Sequence, residues 1–406
     1  MKPRVGIIVT LDTKNKECEF IKASIRANDA EPVVIDIGVR STQEGNSPDQ
    51  ISRPEIYAMA GMPDTGHGER AEAINAVKTA LSKAINRIID DYSLQSLIGI
   101  GGVQGSVIVS EAYDTLPFGF PCVLVSTVAS GERKFNLIVK NKDIVVLNTI
   151  VDLMGLNEIT KKVLENGAII ACTLALHQDL HRAGRKKIAI SVMGITNKSS
   201  EYLYGKLTDM GFEVLTFHAT GAGGDAMERF IEKDYFDGVI DLSTHELSAE
   251  LLGGFSRGQS KRLTAISDSD APVVIVPGAV EIFDFLLKGN EHELDGRQYT
   301  YHNEDIIHAR CREDELTEIA GTMAARFNNI EQDCMMMIPE RGFSANTNVG
   351  CTLENHELDR FLISQLVRRI DKKERIETYD LHIEDEAFCD YIITMFMGLM
   401  EAKDRG

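Results

Sequence analysis

Tryptophan is absent, and aromatic residues reach only 6% of the chain, so stacking platforms for single-stranded nucleic acid have little to be built from. Proline is scarce at 10 residues, and apolar and charged residues stand at 43% and 26%, near the globular average. With no low-complexity run, dominant disorder is excluded. Positive charge is in short supply: 43 Lys and Arg face 62 Asp and Glu, and the net charge of -19 repels polyphosphate backbones and anionic lipid headgroups. The longest basic run, at 182–187, reads as a linker leading into a strand, and no DNA partner is expected. No apolar stretch approaches the ~18–20 residues that span a bilayer. The N-terminus runs directly into a strand-like segment without a signal-peptide pattern, so a cytoplasmic protein with no membrane partner is expected. The seven cysteines are odd in number and scattered, with no Cys-x-x-Cys pair, which fits free thiols in a reducing compartment and offers no metal cluster.

What is present is an alternation. At roughly 150 residues per domain, 406 residues suggest two domains. Residues 4–10 are a β-branched run, 12–16 a polar loop, and the stretch to Ala27 amphipathic: strand, loop, helix. Further strands are expected at 31–39, 97–101 and 121–127, with a long helix at 69–91. Residues 40–68 lack periodicity and read as a long loop, and 143–176 carries apolar residues at helical spacing. After a polar stretch at 178–185 the pattern restarts, with strands at 187–193, 213–218, 238–242 and 272–277 and a helix at 199–210. Strands at 335–338 and 377–381 and helices at 355–370 and 385–403 complete one of the sheets. Alternating strands and helices imply an α/β fold of two doubly wound parallel-sheet domains, divided as 1–183 and 184–406.

Chemistry concentrates at strand ends. Ile98-Gly-Ile-Gly-Gly-Val-Gln-Gly-Ser106 leaves a strand and enters a helix expected at 107–113, and Gly101, Gly102 and Gly105 permit positive φ and close backbone approach. The helix start supplies N–H groups and a positive dipole end, while Ser106 can cap the helix or bind a phosphate oxygen. The spacing matches neither a Walker loop nor G-x-G-x-x-G. A second strand empties into Ser126, Thr127, Ser130 and Gly131, and the first delivers Asp12, Thr13 and Lys14, where Asp12 could hold Mg2+ and Lys14 could neutralise a phosphate. Each of these hydroxyls and carboxylates could instead cap a helix. In the second half, Thr220, Gly221, Gly223 and Gly224 form another glycine turn for an anion, with Thr244 nearby and Arg262 as a carboxylate or phosphate clamp. His218, Asp241 and Glu246 form a candidate proton-transfer set.

These residues carry a family resemblance. Thr10-Leu-Asp-Thr-Lys14, the 99–106 loop, Val125-Ser-Thr-Val-Ala-Ser-Gly131 and Asp152-Leu-Met-Gly-Leu-Asn157 resemble the Tm-one-like ATP-binding domain family. The likeness continues through Phe217-His-Ala-Thr-Gly-Ala-Gly-Gly224, Met227-Glu228, Asp241-Leu-Ser-Thr244, Gly253-Gly254, Pro277-Gly-Ala279 and His302-Asn303. It implies two Rossmann-like domains, ATP on the first, a homodimer, and for microbial members an unknown activity and a TIM-barrel partner similar to phosphoenolpyruvate-handling enzymes. The chain departs from the family pattern at Gln104, which stands for a loop glycine, and at His245 and Ala249, which stand for Thr and Asp. The expected function is a cytoplasmic nucleotide-binding enzyme acting on a small anionic metabolite at the interdomain cleft. The alternative is a nucleotide-sensing module that regulates a partner without catalysis.

Overall fold

The computed structural model describes residues 2–39, 48–64, 70–129, 139, 142–177, 184–259 and 261–405. Two compact units divide the chain, Met1–Arg182 and Ala183–Gly406. In the first, β1 (Arg4–Val9), β2 (Glu31–Asp36), β3 (Gln50–Ile51), β4 (Ser96–Gly101), β5 (Cys122–Ser126) and β6 (Val145–Asn148) form one parallel sheet. Its order, β3-β2-β1-β4-β5-β6, is that of dinucleotide-binding folds. The strands read as continuous apolar runs because both faces are buried. Ile8, Val33, Ile35, Leu97 and Leu124 point to one half-core, against α2 (Arg53–Met59), α3 (Arg70–Tyr92) and α4 (Val103–Asp114). Val5, Ile7, Val9, Ile98, Val123 and Val125 point to the other, against α1 (Leu11–Ala27) and α5 (Glu158–Leu176).

The second unit repeats the plan with β7 (Lys187–Val192), β8 (Glu213–His218), β9 (Gly238–Ser243), β10 (Val273–Gly278), β14 (Cys334–Pro339) and β15 (Ile376–Tyr379), ordered β15-β14-β10-β9-β7-β8 and parallel throughout. Helices α6 (Asn197–Asp209) and α11 (Glu386–Arg405) pack on one face through Leu203, Leu207, Phe388, Ile392 and Phe396. The other half-core takes α7 (Ala222–Glu232), α8 (His245–Leu252), α9 (Glu313–Asn328) and α10 (His356–Arg369). It is extended by an antiparallel sheet, β11-β13-β12, made of β11 (Ile282–Leu286), β12 (Tyr299–Tyr301) and β13 (Ile306–Arg310). All seven cysteines are free thiols, with Cys351 exposed. Among the described residues no helix is long and apolar enough to cross a membrane.

Four local expectations are corrected. Residues 12–16 already belong to α1, which deviates from helical geometry at Lys14 (φ -131°, ψ 32°). The loop expected at 40–68 contains β3 and α2, the latter started by a Ser52–Glu55 capping box with Pro54 in its first turn; positions 40–47 and 65–68 lie outside the described residues. The apolar run after Asp143 begins as edge strand β6. The helix after the glycine loop starts at Val103, four residues earlier than expected.

Gly99 marks how tightly β4 meets α4, since a Cβ there would lie 2.4 and 2.9 Å from the two methyl carbons of Val109. Gly99→Ala is expected to cost about 1–3 kcal/mol by overpacking. Urea unfolding reads this directly, and an unchanged midpoint would contradict the contact.

Candidate functional site

In both units the chain leaves the first strand of the sheet toward one side and later returns to its other side. Ligands of such sheets sit at the carboxyl edge beside that reversal. In the first unit the reversal lies between β1 and β4. Ile8 pairs with Gly99 and Gly101 with Ser126, which brings Thr10, Gly101 and Ser126 to one level. Gly102 is the N-cap of α4 and makes no side-chain cap bond. A Cβ on Gly102 would meet nothing nearer than Thr127 Oγ1 at 3.6 Å, whereas one on Gly101 would lie 2.9–3.0 Å from the backbone of Gly105 and Ser106. Gly101 is therefore required for close packing, and Gly102 leaves the helix start open. Val103 and Gln104 are exposed there. None of Gly101, Gly102, Gln104 and Gly105 has positive φ, so the turn does not use the left-handed freedom expected of it and Gln104 fits without strain.

The flanking residues divide into two sets. Thr10 Oγ1 and Thr13 Oγ1 are 2.9 Å apart, and Asp12 and Thr13 are exposed beside them. Asp36, at the end of β2, accepts the Leu11 and Gly38 N–H groups at 3.0 and 2.9 Å and so fixes the start of α1. Thr127 is half-buried, its N–H on Gly101 O. Ser106 and Ser126, expected to face a ligand, are buried and bonded to one another at 2.6 Å, and Ser126 Oγ also accepts the Val128 N–H. Lys14, expected to neutralise a phosphate, donates to Leu153 O at 2.5 Å. Ser130 and Gly131 lie outside the described residues.

The glycine turn of the second unit is already occupied, by a carboxyl group that the chain itself supplies. Gly221, at φ 94°, and Gly224 donate their N–H groups to Glu246 Oε1 at 2.5 and 3.1 Å. A Cβ on Gly224 would overlap that carboxylate, and one on Gly223 would strike the backbone of His218. Arg262 is no substrate clamp. It is buried with Nη1 2.6 Å from Glu228, Nη2 2.7 Å from Asp241 and Nε 2.8 Å from Glu246. Burial works against its charge, and the three carboxylates more than offset it. Burial pushes Glu246 up from 4.5 to about 7 despite Arg262 and the two N–H groups.

The proton-transfer set is not assembled. His218 ends exposed edge strand β8, 3.2 Å from Thr220 Oγ1, and β7 lies between it and Asp241 on β9. Asp241 is buried between Ser191 Oγ, 2.6 Å away, and Arg262. Thr244 is buried with its N–H on Gly278 O. A different acid–base group stands nearby. His245 Nε2 lies 3.3 Å from Asp284 Oδ1 and its Nδ1 2.9 Å from Ala279 O. Burial opposes the His245 charge, but Asp284 and the Ala279 carbonyl outweigh it and raise the pKa. Asp284 is held at about 2, burial being overcome by His245 and Ser256. His308, opposite Asp284 in the small sheet, is driven down to about 4 by burial and then by His245 and His302. It stays neutral at pH 7, and its Nδ1 lies 3.0 Å from the Asn346 amide nitrogen. A signal existed in the sequence: Asp284 interrupts the apolar run Ile282-Phe-Asp-Phe-Leu286, and a charge within such a run calls for a buried partner. Among the described residues no three His, Cys, Asp or Glu side chains converge as a metal site.

The sequence matches the N-terminal domain of the uncharacterised protein family UPF0261 over residues 3–179 and the C-terminal domain over 185–400. The chain belongs to the UPF0261 family. A UPF0261 protein of Clostridium tetani is 31% identical over 99% of this chain and 100% of its own length. The ToMV resistance protein Tm-1 of Solanum lycopersicum is 27% identical over 98% of this chain, which spans 56% of the tomato protein. A UDP-GlcNAc 2-epimerase from Methanocaldococcus jannaschii covers 97% of the chain and 99% of itself at 8% identity, with a TM-score of 0.22 too low to bear on ligand or activity.

The Glu246 carboxyl in this UPF0261 chain gives stability a pH dependence. The folded state keeps its proton up to about pH 7 while the unfolded chain releases it near 4.5, so stability falls as pH rises between those values. Glu246→Gln keeps an oxygen for the Gly221 and Gly224 N–H groups and carries no charge. It should match the wild type near pH 4.5 and exceed it at pH 8 by up to roughly 3 kcal/mol. Parallel urea stability curves for the two proteins would refute the raised pKa of Glu246.

Proposed function

We propose that the first unit binds the phosphates of a nucleotide, ATP with Mg2+, at the start of α4, and that the protein is a cytoplasmic metabolic enzyme acting on a small anionic substrate. The observation that carries the proposal is the N-terminus of α4 at the reversal point of a 3-2-1-4-5-6 sheet, where among the described residues the N-cap Gly102 makes no side-chain bond and Val103 and Gln104 are exposed. The second unit supports it by example, since its own strand–glycine–helix turn is occupied by a carboxylate.

The early N–H groups of α4 and its dipole would face the phosphates, and Gly102 would let them reach the backbone. The Thr10, Thr13 and Thr127 hydroxyls are placed at the same edge to donate to phosphate or ribose oxygens. The donor set suits Mg2+ in one way only: Asp12 would contribute a single carboxylate and phosphate oxygens the remaining protein-side ligands, as Mg2+ commonly accepts. Bound ATP would supply a transferable phosphoryl group. Lys14 has no part in this, being held by Leu153 O.

Gly102→Asp is the discriminating variant, because its φ of -78° and ψ of -160° suit an aspartate cap. The new carboxylate should stabilise α4 by about 1 kcal/mol while filling the anion seat. Calorimetry should show saturable Mg-ATP binding to the wild type and at least about tenfold weaker binding to a variant that melts no lower. No heat from Mg-ATP, ADP or other nucleotides up to millimolar concentration would overturn the proposal.

A further inference from the structure

The segment Asp152-Leu-Met-Gly-Leu-Asn157 lies on the loop from β6 to α5, and that loop crosses to α1 along the carboxyl edge of the first sheet. It is tied at both ends. At the strand end, the Thr149 N–H donates to Ser126 O at 3.3 Å and the Ile150 N–H to Asn148 Oδ1 at 3.1 Å. At the far end, Lys14 Nζ donates to Leu153 O at 2.5 Å, Glu17 Oε1 accepts the Gly155 N–H at 2.8 Å, and Leu153 is buried in the half-core of α1 and α5. Strands β5 and β4 lie between β6 and β1, so the loop passes the ends of the two strands that lead into Gly102 and Thr127. Helix α4 packs on one face of this sheet and α1 and α5 on the other. The loop and the start of α4 therefore stand on opposite sides of one edge.

The loop begins with a strained turn. The Val151 N–H donates to Thr149 O at 2.7 Å across Ile150, whose φ is 65°, so Ile150 is the centre of a γ-turn of the rare, strained hand. Thr149 Oγ1 adds a bond to Val151 O at 2.6 Å. The other non-glycine residues at positive φ among the described residues are Asp29, Ser93, Asp234, Leu263 and Ala279, none of them β-branched. A β-branched side chain tolerates that region least, and burial does not account for it here, because Ile150 is 72% exposed. Met154 is 89% exposed, so two of the three most exposed large apolar side chains among the described residues sit on this one short loop. Leu156 and Ile159 lie past the tie to Glu17, at the start of α5. Strain of this kind persists where the surrounding bonds enforce it, and it collects at ligand clamps. Two side chains separated by the exposed Asp152 fall far short of the roughly 800 Å2 that each partner of a stable protein complex buries. They do suit one flat ring system. From β4 to β6 is two strand spacings, about 10 Å, the reach of a ribose and base beyond the phosphates.

We propose that the loop at 149–155 seats the base of the nucleotide whose phosphates the start of α4 would hold, an assignment that rests on the nucleotide reading of the first unit. The strained turn holds Ile150 against one face of the base, and Met154, flexible and polarizable, closes on the ring edge. Lys14 and Glu17 act as positioning residues that fix the loop to α1 before the ligand arrives, which lessens the ordering that binding must impose.

Calorimetry on the full-length protein tests this with Mg-ATP and with Mg-tripolyphosphate, which lacks ribose and base. The wild type should bind ATP at least about tenfold more tightly than tripolyphosphate. Ile150→Gly accepts positive φ freely and should melt no lower than the wild type while binding ATP about fivefold or more weakly and tripolyphosphate equally well. Ile150→Asn tolerates the same φ and replaces the apolar branch by an amide, so it should lose ATP affinity with the turn retained. Unchanged ATP affinity in both variants would overturn the base seat, whether or not light scattering shows a changed oligomeric state. So would equal losses of ATP and tripolyphosphate, or a glycine variant that melts lower and thereby shows Ile150 to be kept for stability. Each of these results leaves the phosphate site standing, whereas a wild type that binds neither probe removes the phosphate site and the base seat together.

Discussion

Backbone N–H groups gathered at the carboxyl edge of a parallel sheet must each meet an acceptor, and much of this molecule is arranged around that requirement. Every parallel strand followed by a helix aims a helix start, with unpaired donors and a positive dipole end, at the same edge. Here the acceptors are largely side-chain carboxylates drawn inward. Asp36 takes Leu11 and Gly38, Glu246 takes Gly221 and Gly224, Glu228 takes Leu263 and Ala265, and Asp284 takes Ser256. Part of an acid excess that looks like surface charge in the composition is therefore structural. Among the described residues the start of α4 has no side-chain cap and lies at the reversal point of its sheet, where an external anion could serve as the acceptor.

Drawing carboxylates inward has electrostatic consequences. Burial raises the pKa of Glu228, Glu246, Glu281 and Asp359, and two buried arginines counter it, Arg262 for Glu228 and Glu246 and Arg310 for Glu281 and Asp359. A buried pair of this kind contributes little net stability, but removing one partner is severe because the other charge is stranded. His245 and Asp284 form a third buried arrangement in which the carboxylate is held low. His308 stays neutral a short distance away, with ring centroids 6.5 Å apart from His245. Opposite protonation preferences in adjacent imidazoles follow from their surroundings: at His245 the contact with Asp284 outweighs burial, while at His308 burial and the charge of His245 dominate.

The larger architecture was legible in the sequence because both faces of each sheet are buried. That turns β1, β2, β4, β5, β7 and β9 into unbroken apolar runs bounded by polar turns. Legibility fails where burial is partial. Strand β6 is an edge strand with intermediate exposure, so its apolar residues merged with the helix that follows. The antiparallel sheet escaped notice because Asp284 and His308 interrupt its strands with polar side chains whose partners are remote in sequence. The early start of α4 was hidden by glycine, whose helix penalty of about 1 kcal/mol is outweighed by the contact of Gly101 with Gly105 and of Gly99 with Val109. Of the candidate site, Thr10, Asp12, Thr13, Gly101 and Gly102 were named by type and position, and the structure sets them along one sheet edge. Ser106, Ser126, Lys14 and Arg262 have internal partners that local sequence does not reveal, such as Ser126 for Ser106, Leu153 for Lys14 and Glu228 for Arg262.

That distance explains why two similar turns end differently. Residues 99–106 and 218–224 each run from a strand through glycines into a helix, and nothing within either segment says whether the anion comes from inside or outside. Glu246 decides the second case from 22 residues beyond Gly224. The same reasoning applies with the sign reversed to arginine. In a chain with 19 more acidic than basic residues, the fully buried guanidiniums of Arg262 and Arg310 are matched by carboxylates. A helix start at the reversal point of its sheet, with no acceptor supplied from within among the described residues, is thus where a molecule of this composition has room for an external anion.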